Sequence, residues 1–337
     1  MKKLHMIWIR IKHMDWGRFS LMIDLVHKDS HKPKIWIFFS MIHCALKYNV
    51  GYLDYYVFGF ADRTKAERET YVTFPISFKI ANKLNDKTEA DKFEDKGAFD
   101  AIYKDFMGRD WLDLRHCSYD DFAAFLKRHD LIFVKPTNEV SGHGIEKLPI
   151  SKDQDAKKLY DYLMDNHKYI VEQQIIQHPE VNRMNAASVD SIRVVTILKD
   201  GKVNVMYALF RCSNGTRFID NGGNGGIYAP IGLDDGVIFA PGFREDSGPY
   251  DAHPFSKVPF VGFKVPYFKE LIEMAKKCAL ISPKVRYVGW DMGVTPNGPI
   301  VIEGNPVPAY DLGQNHFHLP TRNGRLPQFK AVLKDEL

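Results

Sequence analysis

Cysteine is sparse and dispersed: Cys44, Cys117, Cys212 and Cys278 share no CxxC pair. The chain therefore carries neither a disulfide framework nor a thiolate metal site, and a reducing cytoplasm suits it best. No stretch reaches the roughly 18 to 20 uninterrupted apolar residues that a spanning helix needs, and the run from Ile35 to Leu46 is too short and interrupted. Arg10, Lys12 and Asp15 break the apolar region that a signal peptide requires. The last four residues, Lys334 to Leu337, spell an ER-retention address, which without such a signal reads as coincidence. Neither GxxxxGK(S/T) nor GxGxxG occurs, so the P-loop and Rossmann fingerprints are excluded. No Ser/His/Asp or Cys/His arrangement stands out. His253, His316 and His318 read as surface or loop residues. There are no internal repeats, and a net charge of +4 without a recognised module argues against nucleic-acid binding.

What is present is a globular composition. With 337 residues and 45% hydrophobic content, the chain can build a substantial core in two or three domains or in one multi-lobed enzyme. Its basic excess is local: residues 1–50 hold nine Lys or Arg against three Asp, among Trp8, Trp16, Trp36, Phe38 and Phe39. The favoured reading is a helical cap packing its aromatics on the rest of the protein. The second is peripheral contact with an anionic membrane surface or an acidic partner.

The spacing predicts helices to about residue 95, with Lys65 to Tyr71 a charged, solvent-facing turn. From residue 96 elements alternate: helix 97–106, helix 119–128, strand 131–135, a glycine loop, helix 157–166 and strand 169–174. A hairpin over 191–198 and 203–211 turns at Lys199-Asp200-Gly201, as an Asp-Gly pair favours. A glycine-rich stretch at 222–226, an apparent hairpin through 233–239 and an amphipathic helix over 266–280 follow. The second half thus reads as an antiparallel sheet with a helix against it.

Two patterns carry chemistry. The first is VGWDMGVTPNGPIVIEGN, a strand, a Pro-Asn-Gly reversal and a returning strand. Asp291 and Glu303 face each other across such a hairpin, and Asn305 projects to the same side as Glu303. Three oxygen ligands in an apolar setting suit Mg²⁺ or Mn²⁺, since buried carboxylates demand a compensating cation. The second is LIFVK, a buried strand ending in Lys135, followed by Ser141-Gly142-His143-Gly144. Glycines let backbone N–H groups approach phosphate oxygens, and the lysine adds a point charge.

A strand lysine, a glycine loop, an acid in VEQQII and a late D…ExN, in that order, resemble the ATP-grasp superfamily. GRDWL at 108–112, KPTNEVSGHGIEKL at 135–148, SVDSIRVVT at 188–196 and GGNGG make the chain similar to the sugar-transfer-associated ATP-grasp family of polysaccharide biosynthesis. The resemblance implies an α+β fold in which two lobes sandwich ATP behind a helical N-terminal region: residues 1–95 helical, 96–174 the first lobe, 175–337 the second with the metal site and acceptor pocket. It implies Lys96 and Lys135 on phosphate, and Gly142, His143 and Gly144 in the closing loop. Glu172 and Gln173 fall at the adenine hinge, where backbone groups read the base. Glu180 or Asp190 takes the ribose, and Arg193 the phosphate or acyl-phosphate. Asp291, Glu303 and Asn305 hold the metal. From its place between two strands, Asn224 is expected to donate to a tetrahedral intermediate near the acceptor, with Arg211 and Arg217 flanking it. Pro306 to Gly313 lines the acceptor pocket by family layout.

The implied reaction is ATP-dependent ligation of a small-molecule carboxylate to an amine or sugar-linked acceptor through an acyl-phosphate. A phosphotransferase and a non-catalytic nucleotide-binding module are the alternatives, because fold does not fix function.

Overall fold

The computed structural model describes residues 14–137, 144–215 and 225–337. The N-terminal helices begin where side chains can cap them. Asp15 accepts the Arg18 N–H and opens α1, Trp16–Ser30. Then come α2 (Lys34–Tyr48), α3 (Tyr52–Val57), α4 (Lys65–Arg68), α5 (Phe74–Leu84), α6 (Lys87–Glu94) and α7 (Lys96–Tyr103). Tyr71 departs from expectation: it is 1% exposed, wedged against Phe58 and Phe60 rather than facing solvent.

Two antiparallel sheets follow. The smaller contains β1 (Trp111–Asp113), β2 (Leu131–Lys135), β3 (Glu146–Pro149) and β4 (Ile170–Gln173), in the order β1-β4-β2-β3. Ile132, Val134 and Val171 point to one face, where Phe122, Phe125 and Leu126 of α8 (Tyr119–Leu126) and Leu163 of α9 (Ala156–Asp165) cover them. Because strand side chains alternate, Lys135 and Glu172 project from the other face.

The larger sheet has seven strands. β5 (Ser191–Lys199) and β6 (Lys202–Cys212) turn at Asp200-Gly201, both at positive φ. β7 (Ile227–Ile231), β8 (Gly242–Arg244), β9 (Gly248–Tyr250), β10 (Tyr287–Thr295) and β11 (Gly298–Asn305) complete the order β11-β10-β5-β6-β7-β8-β9. The segment 233–239 returns through a tight turn with a single Ile231–Ile238 bridge rather than a hairpin ladder. One face packs on α11 (Phe268–Ile281) through Leu271, Ala275 and Cys278, together with Trp290 and Met292. On the other, Val195, Ile197, Tyr207, Leu209 and Tyr287 meet the N-terminal helices and α12 (Leu326–Leu333).

The short helix α7 belongs to both sheets. Phe99 and Tyr103 pack with Phe93 on Trp290 of the large sheet. At its start, the Lys96 N–H donates to the Thr137 carbonyl just past β2 (3.1 Å), and Arg115 binds both the capping Asp95 and Asp113. A side chain at Gly97 would run into the Asp113 carboxylate. Its sequence neighbours belong to the expected first lobe, but its aromatic face lies in the large core.

His253 and His318 lie in loop segments as expected, but are 1% and 5% exposed rather than at the surface, and a ring nitrogen of each meets a carbonyl, Ser213 for His253 and Pro241 for His318. His316 likewise contacts the Val57 carbonyl, and burial lowers its pKa to about 4.

Candidate active site

Register builds the first half of the site. Asp291 pairs with Arg193 on β5 and with Glu303 on β11. In the same ladder, Arg193 and Arg211 share a face with Tyr207 and Leu209. The Arg193 Nη2 donates to Asp291 Oδ2 (2.7 Å) and its Nε to Oδ1; Arg211 Nη1 reaches both oxygens at 3.2 and 3.1 Å. All three residues are buried. Burial alone would raise the Asp291 pKa, but the two guanidiniums hold it far below the usual carboxylate range.

Glu303 stands on the other side of that balance. Burial and the adjoining Asp291 carboxylate both raise its pKa, with Arg193 and a hydrogen bond from Asn305 Nδ2 (3.2 Å) opposing. The site therefore holds a carboxyl whose ionisation the protein's own cations do not fully support. That carboxyl, in contact with Asp291 and with the Asn305 amide beside it, fits a hard divalent cation. Asp291 has less to give, since both its oxygens already accept from arginine.

The small sheet contributes the second half. Lys135 Nζ lies 2.7 Å from Glu172 Oε2, and Arg109 Nη2 lies 2.9 Å from Oε1. Glu172 is 5% exposed, and these cations outweigh its burial and bring its pKa down to about 2. Arg109 also donates to the Val301 carbonyl of β11 (2.9 Å), so one guanidinium joins the two sheets. Asp100 of α7, 2% exposed, adjoins Glu172; burial first and that carboxylate second push it up to about 7. Lys96, one helical turn earlier, is half-buried. Its pKa is lowered by burial and by the neighbouring Lys135, with Glu303 and Glu172 pulling the other way. Lys96, Lys135, Glu172, Arg193, Asp291, Glu303 and Asn305, from five separate stretches of chain, thus come together where the two sheets meet.

Other expected residues lie elsewhere or are engaged. The Glu172 side chain holds cations. The Gln173 N–H donates to the Asp110 carbonyl, and its Oε1 accepts the Asp110 N–H, so it is occupied within the sheet. Asp190 is fully buried, accepting from Asn185 Nδ2 with its own N–H on Gln177 Oε1. Glu180 is exposed, paired with Arg183 on a short helix, α10 (Pro179–Met184). Gly144 has φ +74°, and its carbonyl accepts from Lys168 Nζ (2.7 Å), which also pairs with Glu146. Gly142, His143, Arg217 and Asn224 fall outside the described residues. Arg211, expected beside an acceptor, reaches Asp291. In the 306–313 segment, Tyr310 donates to Asp54 of α3 (2.8 Å). Burial and the nearby Asp311 push both Asp54 and Glu245 up to about 7.

Sequence reasoning missed Arg109, Asp100 and Lys168. For Arg109 a signal existed in GRDWL, although its partners lie 63 and 192 residues away.

A family model for sugar-transfer-associated ATP-grasp proteins matches residues 77–317, more than half of the chain. The chain belongs to the sugar-transfer-associated ATP-grasp family. No curated protein matches it. Solved structures similar in fold include the ATP-grasp ligase PsnB complexed with a minimal precursor, at 13% identity and TM-score 0.44, covering 75% of this chain and 64% of that one. D-cycloserine synthetase DcsG gives 11%, 0.41, 79% and 73%, and the D-alanine-D-alanine ligase from Coxiella burnetii 13%, 0.40, 74% and 55%. The chain thus spans less than two thirds of the PsnB chain's length. Its two-sheet α+β architecture behind a helical N-terminal region is that of an ATP-grasp protein.

Proposed function

We propose that this ATP-grasp protein is an ATP-dependent ligase that activates a carboxylate as an acyl-phosphate and transfers the acyl group to an amine or sugar-linked nucleophile. The observation carrying this reading is that Lys96 lies between Lys135 and Glu303 of the Asp291–Glu303–Asn305 hairpin. Phosphoryl transfer asks for positioning and charge neutralisation rather than a nucleophilic side chain, and the site supplies cations against oxygen donors. A substrate carboxylate oxygen attacks the γ-phosphorus and ADP leaves; the nucleophile then adds to the acyl carbon and inorganic phosphate departs.

Lys96 and Lys135 neutralise phosphate charge. Arg193, pinned by Asp291, presents its remaining N–H to the acyl-phosphate. Glu303, Asn305 and one edge of Asp291 would hold Mg²⁺ or Mn²⁺, which supplies further charge neutralisation at the phosphates. Glu172 keeps Lys135 extended until phosphate competes for it. The family's association with sugar transfer makes a glycan precursor the favoured substrate class.

Incubation with ATP, Mg²⁺, candidate sugar acids or amino acids and hydroxylamine tests the reading. A ligase yields ADP and a hydroxamate. A phosphorylated product without hydroxamate identifies a phosphotransferase instead, and nucleotide binding without turnover on any acid identifies a non-catalytic module.

A further inference from the structure

Two N-terminal helices display apolar surface that no described residue covers. α2 buries Ile37, Met41 and Cys44, while Ile35, Phe39, Ile42 and Leu46 are 65%, 62%, 40% and 59% exposed. Their spacing of four, three and four residues sets them in one line along the outward side of the helix. Just past the end of α2, Asn49 shares a shallow groove with Phe74 and Phe78 of α5, whose stacked rings lie 6.0 Å apart and are largely exposed. Singly exposed apolar residues are ordinary; four in a line on one helix, with an exposed stacked aromatic pair beside its end, mark a contact surface.

Charge selects the occupant. Neither α2 nor α5 contains an acid, and their lysines are Lys34, Lys47, Lys79 and Lys83. Lys34 meets Asp24, and Lys79 reaches the Leu337 carbonyl. The sequence before α1 has the same sign, with Lys2, Lys3, Arg10 and Lys12 and no acid. A second copy pairing through this face about a two-fold axis would set lysine against lysine, which disfavours self-association. No described helix is long and apolar enough to cross a membrane.

We propose that the α2–α5 face docks on an anionic lipid surface, with α2 in the plane of the headgroups, its apolar row inserted and its lysines toward lipid phosphate. The ATP site is not involved in this contact, so the proposal stands or falls apart from the ligase reading.

Flotation of the full chain with phosphatidylcholine vesicles, with and without phosphatidylglycerol, provides the test. Binding should require phosphatidylglycerol and weaken as salt screens the lysines. F39E/L46E should abolish it, while K47E/K83E should weaken it by roughly fivefold or more per lysine. All four positions being at the surface, far-UV circular dichroism and melting temperature should match the parent. Absence of binding to anionic vesicles overturns the proposal. So does concentration-dependent dimerisation lost in F39E/L46E, or vesicle binding that survives both variants.

Discussion

Replacing Glu303 by glutamine should make the protein more stable and less active at once. Glu303 lies opposite Asp291 in the β10–β11 ladder, with the two carboxyls in contact, Asp291 buried and Glu303 partly so. Two full charges at about 4 Å repel by on the order of 4 kcal/mol at an effective dielectric near 20. The protein avoids part of that cost by raising the Glu303 pKa and by the Asn305 hydrogen bond. Glutamine has the same shape, can donate its amide to Asp291 and still accepts from Asn305. A gain of roughly 1 kcal/mol in urea unfolding without nucleotide is therefore expected, in the range of other single stabilising changes. Phosphoryl transfer should meanwhile fall by about 10²–10³-fold, the usual cost of removing one charge-stabilising group. Urea melts and ADP release are the assays. Near-normal turnover, or a loss of stability, would refute the reasoning.

Lys135→Met leaves Glu172 with Arg109 as its strong ion-pair partner and should cost roughly 1–3 kcal/mol of stability by urea unfolding while removing ATP affinity. Folding stability should carry two opposed contributions as pH rises from about 4 to about 7. Asp54, Asp100 and Glu245 have folded pKa values raised to about 7, so in that window the folded chain binds more of these protons than the unfolded one. The opposite holds for His316 and His318, whose folded values are lowered to about 4 and about 3, so that the unfolded chain binds more of these protons up to about pH 6.5, and the lowered values of Asp291 and Glu172 cost stability only as pH falls below about 4; the difference in melting temperature between Asp100→Asn and the parent should accordingly move in the variant's favour as pH rises from about 4 to about 7. Gly304→Ala sets a methyl 2.8–2.9 Å from the rings of Phe93 and Phe99; a cost of about 1–3 kcal/mol is expected, with lowered activity because β11 carries Glu303 and Asn305 on either side. A neutral result there would mean those rings yield freely.

Much of the fold was legible where a local rule acts alone. The Asp200-Gly201 turn, the LIFVK strand and the Pro296-Asn297 reversal each declare themselves within ten residues, and the metal-type hairpin follows from the last. β1 and β3, at three and four residues, are too short for alternation to register. Burial of Tyr71, His253 and His318 depends on partners distant in sequence, and polar residue types concealed it. In the candidate site, Asp291, Glu303 and Lys135 could be read from pattern. Arg211 on Asp291 and Arg109 spanning Glu172 and Val301 follow instead from strand register and sheet apposition, which no local spacing encodes. Asp190 shows the reverse failure: a carboxylate at a plausible spacing that the fold spends on an internal network with Asn185 and Gln177.

The central claim is that one site joins the lysines of the small sheet and α7 to the carboxyl hairpin of the large one to hold ATP. Calorimetric titration of ATP with and without Mg²⁺, on the parent protein and on Lys135→Met, addresses it directly. Binding that needs the cation and disappears in the variant is the predicted result. Binding that ignores both, or a parent protein that takes up no ATP, would contradict it.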